Sequence, residues 1–359
     1  MAYYHSKYAV QKPRNPFRKF ILRLLMLLIL VALGAAFWLY KVVYSPNVWT
    51  QNKPSLAINV PTNSNFDQLK QILYSKGLIV HRTNFEWWSK QRKLPGHIKP
   101  GHYVLRENMS NNDLVEMFRA GNQTPVRVTF NNISNIYQLA GKVSKQIEAD
   151  SASIVRLLND SVYLAQMGKT KKTVETLFIP NTYEFYWNTD ANEFISRMFQ
   201  ESTRFWNSQR KLKAEQMGLS PEEVVILASI VEKETNKDDE KPKIASVYIN
   251  RLHRGWRLQA DPTVIYAMGD KQIRRVLNIY KEVDSPYNTY RHGGLPPGPI
   301  CVPSIASIDA VLNYDKTPYL FFCAKDDLSG YHAFAKTNRQ HQINARKYQQ
   351  ALNKLKIFK

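Results

Sequence analysis

The stretch from Ser220 to Thr235 carries two acids, Glu232 and Glu234, at the end of a run with the marks of a helix. Ser220 followed three residues later by Glu223 is a capping-box pattern, and Pro221 falls at the first helical position, where its missing N–H costs nothing. At about 100° per residue, Val224, Leu227, Ala228, Ile230 and Val231 share one broad apolar face, with Glu234 near its middle and Glu232 at its margin. A carboxyl directed at an apolar face loses hydration, which raises its pKa toward the range a general acid needs near neutral pH. Glu234 is therefore the first catalytic candidate; the alternative is a partly buried glutamate held by a lysine or arginine elsewhere in the fold. The two acids stand about 200° apart around the helix, so both cannot face one cleft. Glu232 is expected to pair with a basic residue or a backbone group at the cleft edge.

Other groups with chemical potential flank this helix. Upstream, Leu177 to Trp187 sets Phe178, Tyr183, Phe185, Tyr186 and Trp187 beside Asn181, Thr182 and Glu184, a composition that suits either a sugar-stacking wall or core packing. Downstream, Asp261-Pro262 reads as a helix start with Asp261 as its cap. Ser285 to Ile300 is so dense in glycine and proline that it predicts a loop of fixed shape, able to carry binding groups. Cys301 and Cys323 do not make a disulfide framework, and Cys323, inside the apolar run Tyr319 to Ala324, reads as an inert thiol in a buried strand. Neither cysteines nor histidines show metal-ligand spacing and no cofactor motif is visible, so no metal or cofactor is expected.

These groups need a scaffold, and the amino terminus says where it stands. The first 50 residues contain Lys7, Lys12, Arg14, Arg18, Lys19, Arg23 and Lys41 and no acid. Leu24 to Tyr40 is uncharged, and Ile21, Leu22, Val42 and Val43 extend the apolar run past Arg23 and Lys41, whose stems can snorkel; this suffices to cross a hydrocarbon core of about 30 Å. A cleaved signal peptide is the rival reading, since Ala32 to Ala36 offers small residues. The long basic leader, the continuation through Phe37 to Tyr40 and an interfacial belt of Tyr44 and Trp49 favour an uncleaved anchor over residues 21–44 behind a cytoplasmic leader, 1–20. The positive-inside rule then puts the rest of the chain outside the cytoplasm.

The formal charge is +21, but without the seven basic residues of the first 50 the balance is 43 basic against 29 acidic, or +14. An exported domain so charged favours an anionic partner such as a cell-wall polymer or lipid head groups. Zinc-finger spacing, RNP-like runs and dense basic helices are missing from the sequence, which sets nucleic acid aside.

Along the exported part, Leu56 to Val60 predicts a strand, Phe66 to Lys76 a helix stopped by Gly77, and Thr83 the cap of a second helix. A strand follows at His102 to Arg106, then a helix capped by Ser110 and closed by Gly121, and a strand at Val126 to Phe130; residues 55–130 read as a small α+β module. From Ser134 to about Gln200 the pattern is mainly helical, with Ile136, Leu139, Ala140, Val143 and Ile147 at helical spacing. After Glu234 come a helix at Lys243 to Leu252, a strand at Tyr319 to Ala324, a turn at Ser329-Gly330, a strand at His332 to Ala335 and an amphipathic helix from Asn338 to Lys354.

Taken together, Leu227 to Thr235, Ala245 to Leu252, Leu258 to Val264, Tyr287 to Tyr290, Gly294 to Ile300 and Thr317 to Leu320 resemble the YceG-like endolytic murein transglycosylases, membrane-anchored enzymes that cut nascent peptidoglycan strands. Lys99 to Tyr103 and Ile179 to Glu184 extend the resemblance over nearly the whole exported chain, although Asn181 stands where the family often has Asp, and residues 269–284 match poorly. The resemblance implies an α+β architecture: one transmembrane helix, a LysM-like α+β module at residues 55–125, and a larger mixed α/β catalytic domain at 126–359. It implies Glu234, the second Glu of Glu-Lys-Glu-Thr, as the catalytic acid, with Asn288, Gln259 and Tyr183 as groups for sugar hydroxyls or N-acetyl oxygens. It also implies that one carboxyl serves as acid and then base, yielding a 1,6-anhydro end on MurNAc. The expected partners are peptidoglycan glycan strands, the cytoplasmic (inner) membrane and cell-wall synthases of the penicillin-binding class. The competing readings are a hydrolytic muramidase with an additional base, such as Asp261, and a non-catalytic wall-binding anchor.

Overall fold

The computed structural model of the chain describes residues 16–269 and 276–355; the first 15 residues of the expected leader and part of the 269–284 region lie outside the described residues. The chain is a mixed α+β protein of two compact units, Met1–Thr124 and Pro125–Lys359.

The first unit begins with α1 (Pro16–Tyr44), 29 residues or roughly 43 Å of helix. Its most apolar window has a mean hydropathy of 2.7 and no buried residue, and it is long and apolar enough to cross a membrane. Its last turn is tied down: Val42 and Val43 are buried, and the Val42 carbonyl accepts a 2.7 Å hydrogen bond from Asn111 Nδ2. Asn111 Oδ1 accepts from Asn47 Nδ2 at 2.6 Å, and Asn47 Oδ1 accepts from the His81 N–H at 2.6 Å, a chain of buried amides joining three segments.

Behind it, β1 (Ser55–Val60) pairs antiparallel with β2 (Gly101–Arg106), and α2 (Phe66–Ser75), α3 (Arg82–Gln91) and α4 (Asn111–Ala120) cover one side. Leu69, Leu73, Phe85, Tyr103, Leu114 and Phe118 close the core. Asn65 and Ser110 form capping boxes with Gln68 and Asp113, and Gly121 ends α4 in the left-handed region. Thr83 does not cap α3, which starts at Arg82 behind His81 with no side-chain cap.

In the second unit, β3 (Val126–Phe130) pairs antiparallel with β4 (Asn181–Phe185), so the strand expected to complete the first module belongs to the second unit. Between them lie α5 (Ile136–Val143), α6 (Ser151–Leu158) and α7 (Ser161–Ala165), and after them α8 (Ala191–Phe205); these share one core. A second core forms around α9 (Ser208–Gln216), α10 (Pro221–Glu234), α11 (Lys241–His253) and α13 (Ile305–Leu312), and α12 (Asp261–Met268) packs against α10 beside it. The hairpin β5 (Phe321–Ala324) and β6 (His332–Ala335) and the terminal helix α14 (Asn338–Lys354) complete the unit. Cys323 is only half-buried, because β5 is part of a two-stranded hairpin rather than an interior strand.

The buried amide chain generates a prediction. Asn111→Ala leaves the Val42 carbonyl and the Asn47 amide without their partner in a dry interior, at a cost of about 1–3 kcal/mol. Thermal denaturation should show a lower midpoint; an unchanged midpoint would mean that the amides do not hold this end of α1.

Candidate active site

The Ser220 hydroxyl accepts from the Glu223 N–H while the Glu223 carboxylate accepts from the Ser220 N–H at 2.8 Å, and Pro221 occupies the first turn of α10. Every residue from Val224 to Val231 is buried, so α10 is wrapped on all sides rather than amphipathic. It packs against α9, α11, α12 and α13, and the expected single apolar face is replaced by a continuous sheath. Glu234 is its last helical residue, partly exposed where Thr235 turns extended. Carboxylates at a helix C-terminus face the negative end of the macrodipole, a further bias toward the neutral form.

The surroundings of Glu234 act in the same direction. Burial raises its pKa to about 7; a hydrogen bond donated by the Tyr248 hydroxyl opposes this, the Asp261 charge adds to it and Arg251 subtracts. Tyr248, on α11, is itself buried, and its phenol is driven well above its usual range by that burial and by the Glu234 charge. Arg251, one turn on, is not a direct partner of the acid. Its Nε donates to the Leu320 carbonyl at 2.7 Å and its Nη1 to the Leu258 carbonyl at 2.5 Å.

Glu232 has the opposite environment. Burial works against its charge, but hydrogen bonds from Ser304 and Ser307 and the Lys241 ammonium at 3.3 Å hold its pKa below the ordinary carboxylate value. Two carboxyls on one helix end are thus pushed apart, one toward acid and one toward permanent anion.

The mouth of the site is a pocket of about 230 Å³ lined by Lys233, Glu234, Thr235, Asn236, Lys237 and Gly330. Buried Glu240 accepts from the His332 N–H at 2.7 Å with His332 Nδ1 also 2.7 Å away, which ties the β5–β6 hairpin, whose turn contributes Gly330 to the pocket, to the start of α11. A larger cavity of about 590 Å³ lies near the other end of α10, beside Met217, Leu219, Ile226 and Leu295, and does not include Glu234.

The remaining candidates divide. Gln259 is exposed, in the left-handed region at φ 52°, between buried Leu258 and Ala260, and its N–H donates to the Thr289 carbonyl. Asn288 is fully buried; its Nδ2 donates to the Lys281 and Val283 carbonyls at 2.8 Å each, and its Oδ1 accepts from the Tyr290 N–H at 3.0 Å. Its amide is spent on shaping the loop instead of facing a ligand. Tyr183 packs in the other core of the unit, stacked on Phe130, with its hydroxyl donating to the Ile179 carbonyl at 2.6 Å. Phe178 and Phe185 share that core, so these three aromatics are core packing, whereas Tyr186 is exposed and lines a cavity of about 510 Å³ with Glu184 and Arg197. Asp261 does not cap α12; Ala260 holds that position, and the exposed Asp261 carboxylate accepts from the Tyr290 hydroxyl at 2.5 Å. Tyr248, Arg251 and Tyr290 were not singled out by sequence reasoning. For Tyr248 and Arg251 the signal is a tyrosine and an arginine three residues apart, and so on one face of α11.

A neutral carboxyl at the end of a buried helix, opening on a pocket in a mixed α+β unit, is the arrangement of a general acid. The YceG-like family profile matches residues 58–347, and the chain belongs to that family. It is 29% identical over 331 residues to an endolytic murein transglycosylase of Bacillus subtilis, covering 88% of this chain and 91% of that protein. It is 26% identical over 361 residues to an endolytic murein transglycosylase of Streptococcus pneumoniae, covering 91% of this chain and 64% of that longer protein. A yceG-like protein from Listeria monocytogenes, known from a 2.6 Å crystal structure, superposes with a TM-score of 0.54 at 28% identity, over 81% of this chain and 99% of that one. The relatives' name describes lytic transglycosylases, which are lyases.

The contrast between the two acids predicts stability changes of opposite sign. Folding raises the Glu234 pKa from an ordinary 4.5 to about 7, so native stability falls as pH rises between those values and the cost is fully present at pH 8. Glu234→Gln should therefore stabilise the protein by about 1–3 kcal/mol at pH 8, an advantage that vanishes below about pH 4.5. Glu232→Gln removes the acceptor of two hydroxyls and the counter-ion of buried Lys241, and should destabilise by about 1–3 kcal/mol. Denaturant titrations at both pH values check this; two variants shifting in the same direction would refute the assignment.

Proposed function

We propose that this chain is a membrane-anchored endolytic lytic transglycosylase that cleaves the MurNAc–GlcNAc bond of nascent peptidoglycan strands and so terminates their elongation. The observation that carries the reading is Glu234, a carboxyl whose burial raises its pKa to about 7 at the mouth of a pocket; the names of its relatives supply the substrate class. Glu234 donates its proton to the glycosidic oxygen after MurNAc as the C1–O bond breaks. Its carboxylate then takes the proton of the same sugar's 6-hydroxyl as that oxygen bonds to C1, giving a 1,6-anhydro end and restoring the acid. The Tyr248 hydroxyl stabilises the carboxylate between the two steps, and Gln259 is the exposed group that contacts the sugar.

In this reading α1 anchors the protein in the cytoplasmic membrane with its amino terminus in the cytoplasm, supported by its length, its hydropathy and the positive-inside rule. Residues 55–125 form a LysM-like module that holds glycan, and residues 126–359 carry the chemistry. Cell-wall synthases, which make the nascent strand, are the protein partners. A hydrolytic reading rests on Asp261, whose charge reaches Glu234 and which could serve as a base toward water.

Mass spectrometry of digested glycan strands separates the readings. Anhydro-MurNAc ends are expected, with Glu234→Gln slowing their release by on the order of a hundredfold or more. Reducing ends, heavier by one water, would support the hydrolase, and intact strands would leave a wall-binding anchor.

A further inference from the structure

The second unit holds another carboxyl that the reaction above does not use. Glu175 lies on the 3₁₀ turn Val174–Leu177 and is 9% exposed. One of its oxygens is buried without a hydrogen-bond partner, while the Ile136 N–H at the start of α5 donates to the carboxyl. Burial, against that N–H, raises its pKa to about 7. The titratable groups facing it are Tyr266 of α12, Tyr287 of the glycine- and proline-rich loop, and Cys301 at the loop's end. The nearby lysine, Lys169, bonds Thr176 at 2.8 Å and is neutralised by Glu222 at 2.7 Å.

The placement of those phenols gives Glu175 a reach beyond its own turn. The rings of Tyr266 and Tyr287 stand 4.7 Å apart, with their hydroxyls hydrogen-bonded to each other. Beside them Gly298 is pressed onto the turn's neighbour: a Cβ there would stand 1.9 Å from the Lys172 carbonyl oxygen and 3.0 Å from the Tyr287 hydroxyl. Tyr266 is on the helix that begins at Asp261, and Tyr287 is three residues before Tyr290. The two elements that bring Asp261 and Tyr290 toward Glu234 therefore also bring Tyr266 and Tyr287 within reach of the Glu175 charge.

We propose that Glu175, as a neutral acid, is a positioning residue of the glycan-cleaving site: its uncharged state beside the Tyr266–Tyr287 pair lets α12 and the loop keep the wall that faces Glu234. The proposal rests on the transglycosylase reading. Ionised Glu175 would be an uncompensated buried charge set against two phenols and a thiol, and the wall would have to give way to hydrate it. Turnover then requires a proton on each of two acids, one that reacts and one that holds the wall.

The test is the pH dependence of kcat/KM for glycan-strand cleavage by the full-length chain in detergent. Above about pH 7 the wild type should lose activity about a hundredfold per pH unit, the signature of two protons, and Glu175→Gln, which cannot ionise, about tenfold per unit. Glu175→Ala, which removes the prop, should lower kcat by about tenfold or more with KM within about twofold. A one-proton limb in the wild type overturns the proposal without any variant having to fold, as does a two-proton limb that persists in Glu175→Gln. A wild-type chain that releases no cleaved ends sinks the transglycosylase reading itself and this role with it; an active chain with a one-proton limb sinks only the role of Glu175.

Discussion

The structure turns on the desolvation of one carboxyl. Glu234 ends a helix in which the eight residues from Val224 to Val231 are all buried, and the carboxyl has the Tyr248 hydroxyl as its bonded donor. A single neutral donor stabilises the carboxylate enough to let the proton leave and too little to keep it away, which is the balance a group serving as acid and then base needs. An arginine bonded directly to Glu234 would have fixed it as an anion. Arg251 is instead occupied by the Leu320 and Leu258 carbonyls, so its charge acts only from a distance while its guanidinium ties the Leu258–Asp261 segment and the hairpin entry to α11.

The wall opposite is held by buried hydroxyls. The Thr289 Oγ1 accepts from the Ala260 N–H at 2.9 Å and lies 2.8 Å from the Thr263 Oγ1, which donates to the Ala260 carbonyl at 2.6 Å. These bonds clamp the loop to the first turn of α12 and leave Gln259 exposed between two buried neighbours. At the loop's other end the Ser229 hydroxyl accepts from the Ile300 N–H at 3.0 Å, and Cys301 is buried with its thiol pushed up to about 12, an inert group on the scaffold. Rigid backbone on both sides of the acid suits a reaction in which water must be kept from the anomeric carbon.

What could be read from the sequence was what local chemistry determines. The capping box at Ser220, the proline behind it and the acid at the helix end all stand where the residue spacing puts them, as does α14 from Asn338 to Lys354. Ser110 and Gly121 bound their helix for the same reason: their bonds run to residues three or four positions away. The failures are tertiary. The pairing of Val126–Phe130 with Asn181–Phe185 bridges some fifty residues and leaves no trace in either strand. Asp261 has every local reason to cap α12, but the Tyr290 hydroxyl, on a distant loop, takes its carboxylate. Asn288 and Tyr183 carry the groups a sugar site needs, and a buried loop amide and a core phenol need the same ones.

The central claim is that Glu234 still holds its proton in a substantial fraction of molecules at neutral pH, and the most direct measurement is its own titration. Infrared difference spectroscopy of the wild type against Glu234→Gln isolates the carboxylic C=O stretch of this one residue, apart from every other acid in the chain. The band should be at full strength at pH 5, half its strength at about pH 7 and absent by about pH 9. A midpoint near the ordinary 4.5 would mean that Glu234 is already a carboxylate when the protein works, and the acid step would belong to another residue.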